Sequence, residues 1–143
     1  MLYFDTSALL PYYRREPASE WVQDLLLAQT QPVLISHLTE VEVASALARW
    51  VRMSELTEPQ ANRIESAFHD DVNNGRFVRC LIETSHFHRA VYWIGMRKTS
   101  LRTLDALHLA CAEQHGALLI TEDEALLSAA AFFGIDAKSA MDC

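Results

Sequence analysis

The sequence is short of the residues that break or staple a chain. Four glycines and four prolines are spread over 143 residues, too few for a collagen-like or low-complexity protein. Cysteine is scarce and odd in number. Cys80, Cys111 and Cys143 form no C-x-x-C pair, which excludes a disulfide framework and a zinc ribbon and fits reduced thiols in a cytoplasmic protein. No apolar run approaches the roughly 18 residues needed to cross a bilayer, so no membrane partner is expected. Positive charge is also in short supply. Twelve Lys and Arg face nineteen Asp and Glu, a formal net charge of −7. That balance argues against broad electrostatic adhesion to nucleic acid or anionic lipid, yet leaves room for a local basic rim. The start Met1-Leu2-Tyr3-Phe4-Asp5 has neither the basic nor the apolar segment of a secretory leader, so export is not expected.

Apolar substance is plentiful. Half of the residues are hydrophobic and 22% are charged, which excludes a disordered chain. A chain of this length hides roughly two-thirds of its unfolded surface. Short apolar runs alternate with helical periodicities. Strands are expected at Leu2-Tyr3-Phe4, Pro32 to Ile35, Phe77 to Ile82 and Ala117 to Ile120, with a short last one from Ile135 to Lys138. Helices are expected up to about Arg15, after Pro17, from Thr39 to about Met53, from Pro59 to Asn74, from Thr84 to about Lys98, from Leu104 to His115, and from Glu122 to Phe133. Strands separated by helices imply a parallel sheet covered on both faces. The expected fold is a single domain over residues 1–143, a three-layer α/β/α arrangement around a central, mostly parallel sheet of four or five strands.

Ligands of open α/β sheets bind beyond the carboxyl ends of the strands, and acids follow the strands here. Asp5 follows the first; Glu40 and Glu42 come soon after the second; Glu122, Asp123 and Glu124 follow the fourth; Asp105 opens a helix. Helix capping offers an ordinary explanation, because acids favour helix N-termini. Thr39 with Glu42 reads as a capping box, Thr121 with Glu124 as another, and Thr103 as the cap before Asp105. Asp5 stands apart, since a carboxylate at the end of a central strand needs a partner. Convergent acids repel one another unless a cation is present, and oxygen ligands suit Mg²⁺ or Mn²⁺. Such clusters equip phosphoryl displacement.

Four segments, in order, resemble the PIN-domain proteins, especially the VapC ribonuclease toxins of type II toxin–antitoxin modules. They are Leu2-Tyr3-Phe4-Asp5-Thr6-Ser7-Ala8-Leu9, Ser36 to Leu47, Leu101 to Ala110, and Leu119-Ile120-Thr121-Glu122-Asp123-Glu124. The resemblance implies a metal-dependent endoribonuclease. Asp5 and Asp105 would bind Mg²⁺ or Mn²⁺ directly, and Glu42 and Asp123 would act through a second ion or bound water. Thr6, Ser7 and Thr121 would orient carboxylates or touch a phosphate, although turn and cap roles explain them equally. The resemblance also implies an RNA substrate, a homodimer, and a VapB-like antitoxin whose arginine replaces the metal's charge. Glu42 is preferred to Glu40 by its Val-Glu-Val-Ala-Ser context, and Glu122 stands where the family usually has a small or neutral residue.

Other residues have plainer roles open to them. Arg14, Arg15, Arg49, Arg52, Arg97, Lys98 and Arg102 are candidates for phosphate contact, with Arg102 foremost because it lies just before Asp105. His86 and His88 do not share a helical face. His108 shares one with Asp105 and borders the pocket or packs in the core. His69-Asp70-Asp71 reads as a solvated face. Trp21, Trp50 and Trp93 read as core or interface. Leu10, Tyr12, Tyr13 and Trp21 are expected to be exposed apolar residues serving oligomerisation. Three alternatives stay open: a PIN-like nuclease of RNA processing, a phosphatase using Asp5 as nucleophile, and a non-catalytic PIN-like binding module. The second is disfavoured because Ser7 stands where haloacid-dehalogenase-type phosphatases need a second Asp.

Overall fold

A computed structural model describes all 143 residues. Five strands form one all-parallel sheet in the order β3-β2-β1-β4-β5, with seven α-helices and a terminal 3₁₀ turn around it. The strands are β1 (Leu2–Phe4), β2 (Val33–Ser36), β3 (Phe77–Cys80), β4 (Leu118–Ile120) and β5 (Ala137–Lys138). The helices are α1 (Thr6–Tyr13), α2 (Ser19–Leu27), α3 (His37–Arg52), α4 (Glu58–Asn73), α5 (Thr84–Gly95), α6 (Thr103–Gln114) and α7 (Glu124–Phe132).

β1 lies at the centre, and all three of its residues are buried. Because side chains alternate across a strand, its residues serve two separate cores. Leu2 and Phe4 join the cluster that contains Leu9, Val22, Val43, Trp50 and Phe68, under α1 to α4. Tyr3 joins the other, with Trp93, Leu107, Leu109, Leu119 and Leu126, under α5 to α7. Two apolar layers on a two-faced sheet give the α/β/α architecture. α6 is buried almost all round, from Ala106 through Ala112, which explains why its apolar residues show so little periodicity.

Element edges shift in ways local chemistry explains. β3 ends at Cys80, and Leu81 is exposed. α1 ends at Tyr13, with Arg14 extended. α5 ends at Gly95, two residues before Arg97 turns the chain out with φ 55°. The three expected caps are corrected as well. Ser36 rather than Thr39 caps α3; Thr39 is in its first turn, where its hydroxyl accepts from the Ser36 N–H at 3.2 Å. Asp123 itself caps α7, accepting from Leu126 N–H at 3.0 Å, and Thr103 is already helical behind Arg102. β2 and β4 run almost directly into α3 and α7, so those first turns start close to the strand end, whereas α6 follows the loop after α5 and starts behind Arg102 with no side-chain cap.

The expected apolar surface is corrected too. Leu10, Tyr12 and Tyr13 pack against the first core, and the Tyr13 hydroxyl donates to Asp71, which thereby leaves the solvated face expected of it. Trp21 is exposed, whereas Trp50 and Trp93 are buried. The larger uncovered apolar surface is on α5, at Phe87, Val91, Tyr92 and Ile94. No helix is long and apolar enough to cross a membrane.

Candidate active site

The site is built where β1 and β4 end side by side. Their register pairs Phe4 with Ile120, so the next residues, Asp5 and Thr121, emerge together. The Asp5 N–H donates to the Ile120 carbonyl at 3.2 Å, and the Thr121 hydroxyl donates to Asp5 Oδ2 at 2.6 Å. Asp5 is also the N-cap of α1: its Oδ1 accepts from the Ala8 N–H at 3.0 Å and from the Ser7 hydroxyl at 2.8 Å. Ser7 in turn accepts from the Glu122 N–H at 3.0 Å. One buried carboxylate thus ties the start of α1 to the loop after β4.

α3 brings Glu42 over the same edge. Its face toward the cleft carries Leu38, Val41, Glu42, Ser45, Ala46 and Arg49. Glu42 Oε1 accepts from the Thr6 hydroxyl at 2.7 Å and meets His108 Nε2 at 2.5 Å. α6 presents Asp105 and, one turn on, His108. Asp5, Glu42, Asp105 and Asp123 therefore line one cleft of about 660 Å³, together with Thr6, Ser7, Arg49, Arg102 and His108. Thr121 lies fully buried beneath it. Arg102 bridges two of the acids, reaching Asp123 Oδ2 at 2.6 Å and Asp105 Oδ2 at 3.2 Å.

The other acids near the strand ends do different work. Glu40 pairs with Arg79. Glu122 accepts from the Ser139 hydroxyl and the Ala140 N–H, pinning the C-terminal turn, and Glu124 is exposed in the first turn of α7. His86 accepts from the Glu83 N–H at 2.8 Å and meets Gln114 across the α5–α6 contact, which is a structural role. The sequence alone gave no sign that Thr6 and His108 share one oxygen of Glu42. The only hint was the three-residue step from Asp105 to His108.

Burial and charge pull the carboxyls apart. Burial raises Asp5 to about 6, against the pull of His108 and the bonds from Thr121, Ser7 and Ala8. Asp105 is also raised, first by burial and then by Asp123, with Arg102 opposing. Glu42 feels burial as well, but the His108 and Thr6 bonds outweigh it and hold its carboxyl below the usual value. The donor set is all oxygen and negative, which suits a hard divalent cation. No three of the side chains converge closely enough to enclose an ion as they stand; Arg102 holds two of them, and His108 with Thr6 holds a third.

Residues 2–132 match the PIN domain. The chain belongs to the PIN-domain family. No curated protein matches this PIN-domain chain, but solved structures share its fold. The FitAcB structure from Neisseria gonorrhoeae superposes with a TM-score of 0.73 at 17% identity, covering 100% of both chains. The DNA-bound VapBC from Salmonella typhimurium gives 0.73 at 14% identity, over 98% of this chain and 99% of that one. The Mycobacterium tuberculosis VapC20, described as a sarcin–ricin loop cleaving toxin, gives 0.68 at 12% identity, over 90% and 95%. At these identities the likeness is one of fold.

Proposed function

We propose that this PIN-domain protein is a divalent-cation-dependent endoribonuclease, the toxin of a type II toxin–antitoxin module acting in the cytoplasm. The observation that carries this reading is the gathering of Asp5, Glu42, Asp105 and Asp123, from four separated stretches of chain, along one cleft. Mutual repulsion makes such a gathering unfavourable for a protein that merely folds.

Asp5 and Asp105 would hold Mg²⁺ or Mn²⁺ directly, with Glu42 and Asp123 acting through a second ion or bound water. Such a cation supplies an activated water at neutral pH and stabilises charge on the phosphoryl oxygens. The chain's own residues do the rest. Thr121, Ser7 and the Ala8 N–H fix the Asp5 carboxylate, and Thr6 fixes that of Glu42. Arg49 stands in the cleft wall without an ion pair, available to a phosphate of the incoming strand. Arg102 is the other cation at the cleft; its bonds to Asp105 and Asp123 demonstrate the fit of a guanidinium to these acids, which supports inhibition by an antitoxin arginine. The apolar surface on α5 supports a homodimer.

Incubation with RNA and Mn²⁺ tests the reading. Cleavage is expected with the wild-type protein and is expected to vanish with EDTA or with Asp5→Asn. Cleavage that survives both would remove the metal mechanism. Arrest of growth on expression, relieved by a small neighbouring reading frame, tests the toxin role.

A further inference from the structure

Glu42 is the one acid of the cleft whose two oxygens are treated differently by a buried histidine. Thr6 and His108 both bond Oε1, and Oε2 has no partner in the protein. A carboxylate can only accept, so His108 Nε2 carries the proton. The opposite nitrogen, Nδ1, lies 2.7 Å from the Tyr3 hydroxyl, and the two rings meet edge-on at 5.7 Å. Tyr3 is fully buried and His108 is 1% exposed, amid the apolar residues of the second core. A leucine would fill this place without any polar group to satisfy, and burying an imidazole and a phenol is unfavourable unless both are bonded. The chain of bonds begins in the central strand, passes through α6 and ends on the cleft.

We propose that His108, buttressed by Tyr3, is a positioning residue that fixes the Glu42 carboxylate so that Oε2 faces the incoming cation or its water. The proposal rests on the metal-dependent reading of the cleft. The arrangement parallels the general logic in which a group behind a ligand fixes its orientation, and loss of such a group weakens metal affinity by roughly 10- to 100-fold.

The test is Mn²⁺ titration of the folded protein, followed by calorimetry without RNA, beside kcat and KM for RNA cleavage. His108→Leu keeps the volume and removes the donor; it is expected to weaken Mn²⁺ binding by about tenfold or more, with KM for RNA little changed. His108→Gln restores an N–H donor toward Glu42 and is expected to recover most of the affinity. Tyr3→Phe removes only the buttress and should fall between wild type and His108→Leu; it also carries the test if His108→Leu does not fold. Wild-type Mn²⁺ affinity in His108→Leu or Tyr3→Phe, or equal weakening in the Leu and Gln variants, would overturn the proposal. Mn²⁺ binding that depends on His108 in a protein that cleaves no RNA would sustain it while sinking the ribonuclease reading, and a wild-type protein that binds no Mn²⁺ would sink both.

Discussion

Asp5 shows how far a buried carboxylate departs from what folding alone would select. Its carboxyl is raised to about 6 by burial, against an unfolded value near 3.8. Between those values the native protein keeps a proton that the unfolded chain has released. Folding is therefore opposed increasingly as pH rises through that window, and the opposition is complete above about pH 6. The shift corresponds to roughly 3 kcal/mol. Asp5→Asn removes the charge and keeps a side chain able to bond Ser7, Ala8 and Thr121. Urea unfolding at pH 7.5 without divalent ions should find this variant more stable than wild type by a kcal/mol or more, with the difference closing toward pH 4. A variant that is less stable at pH 7.5 would show that the bonds to the carboxylate outweigh its burial.

Helix starts separate into two kinds. α4 begins far from the cleft with a plain capping box: the Thr57 hydroxyl accepts from Gln60 N–H at 3.3 Å, and Gln60 Oε1 accepts from Thr57 N–H at 2.9 Å. Thr57→Ala is expected to cost about 1 kcal/mol, read by chemical denaturation, and to leave RNA cleavage unchanged. α1 and α7 begin at the cleft, and their caps are Asp5 and Asp123. There the capping and metal-binding explanations of an acid are not rivals. An aspartate that accepts a backbone N–H with one oxygen has its orientation fixed for whatever the cleft takes up.

At the level of the whole molecule, the proposed ribonuclease reading requires a chain of formal charge −7 to draw a polyanion to one place. Phosphate contacts dominate nucleic-acid affinity and make it depend on salt. Arg49→Ala is accordingly expected to raise KM for RNA several-fold with kcat nearly intact, and to make KM less sensitive to added KCl. An unchanged KM and salt slope would exclude Arg49 from the substrate path. Binding of a cation to the native state alone stabilises it by mass action, so Tm should climb with Mn²⁺ concentration in the wild type and much less in Asp105→Asn.

The order of the strands and α-helices was written in the chain itself: apolar runs, helical periods and, for the nearly all-buried α6, its bounding loop and Gly116 located them, whereas the terminal 3₁₀ turn was not expected. The family followed from short motifs around Asp5, Glu42, Asp105 and Asp123, which lie next to strand or helix ends that are themselves recognisable. Helix edges were less legible: Ser36 and Asp123 take the cap positions because β2 and β4 leave few residues before the turn, and Arg102 ends the loop after α5 without a side-chain cap. Hidden altogether were the contacts between segments far apart. Thr6 meets Glu42 because a parallel sheet with β1 between β2 and β4 stacks those strand ends side by side, and Tyr3 meets His108 and Arg102 reaches Asp123 because α6 packs on the sheet face that carries Tyr3. Periodicity tells which residues are buried; only the packed sheet decides which buried polar groups find one another.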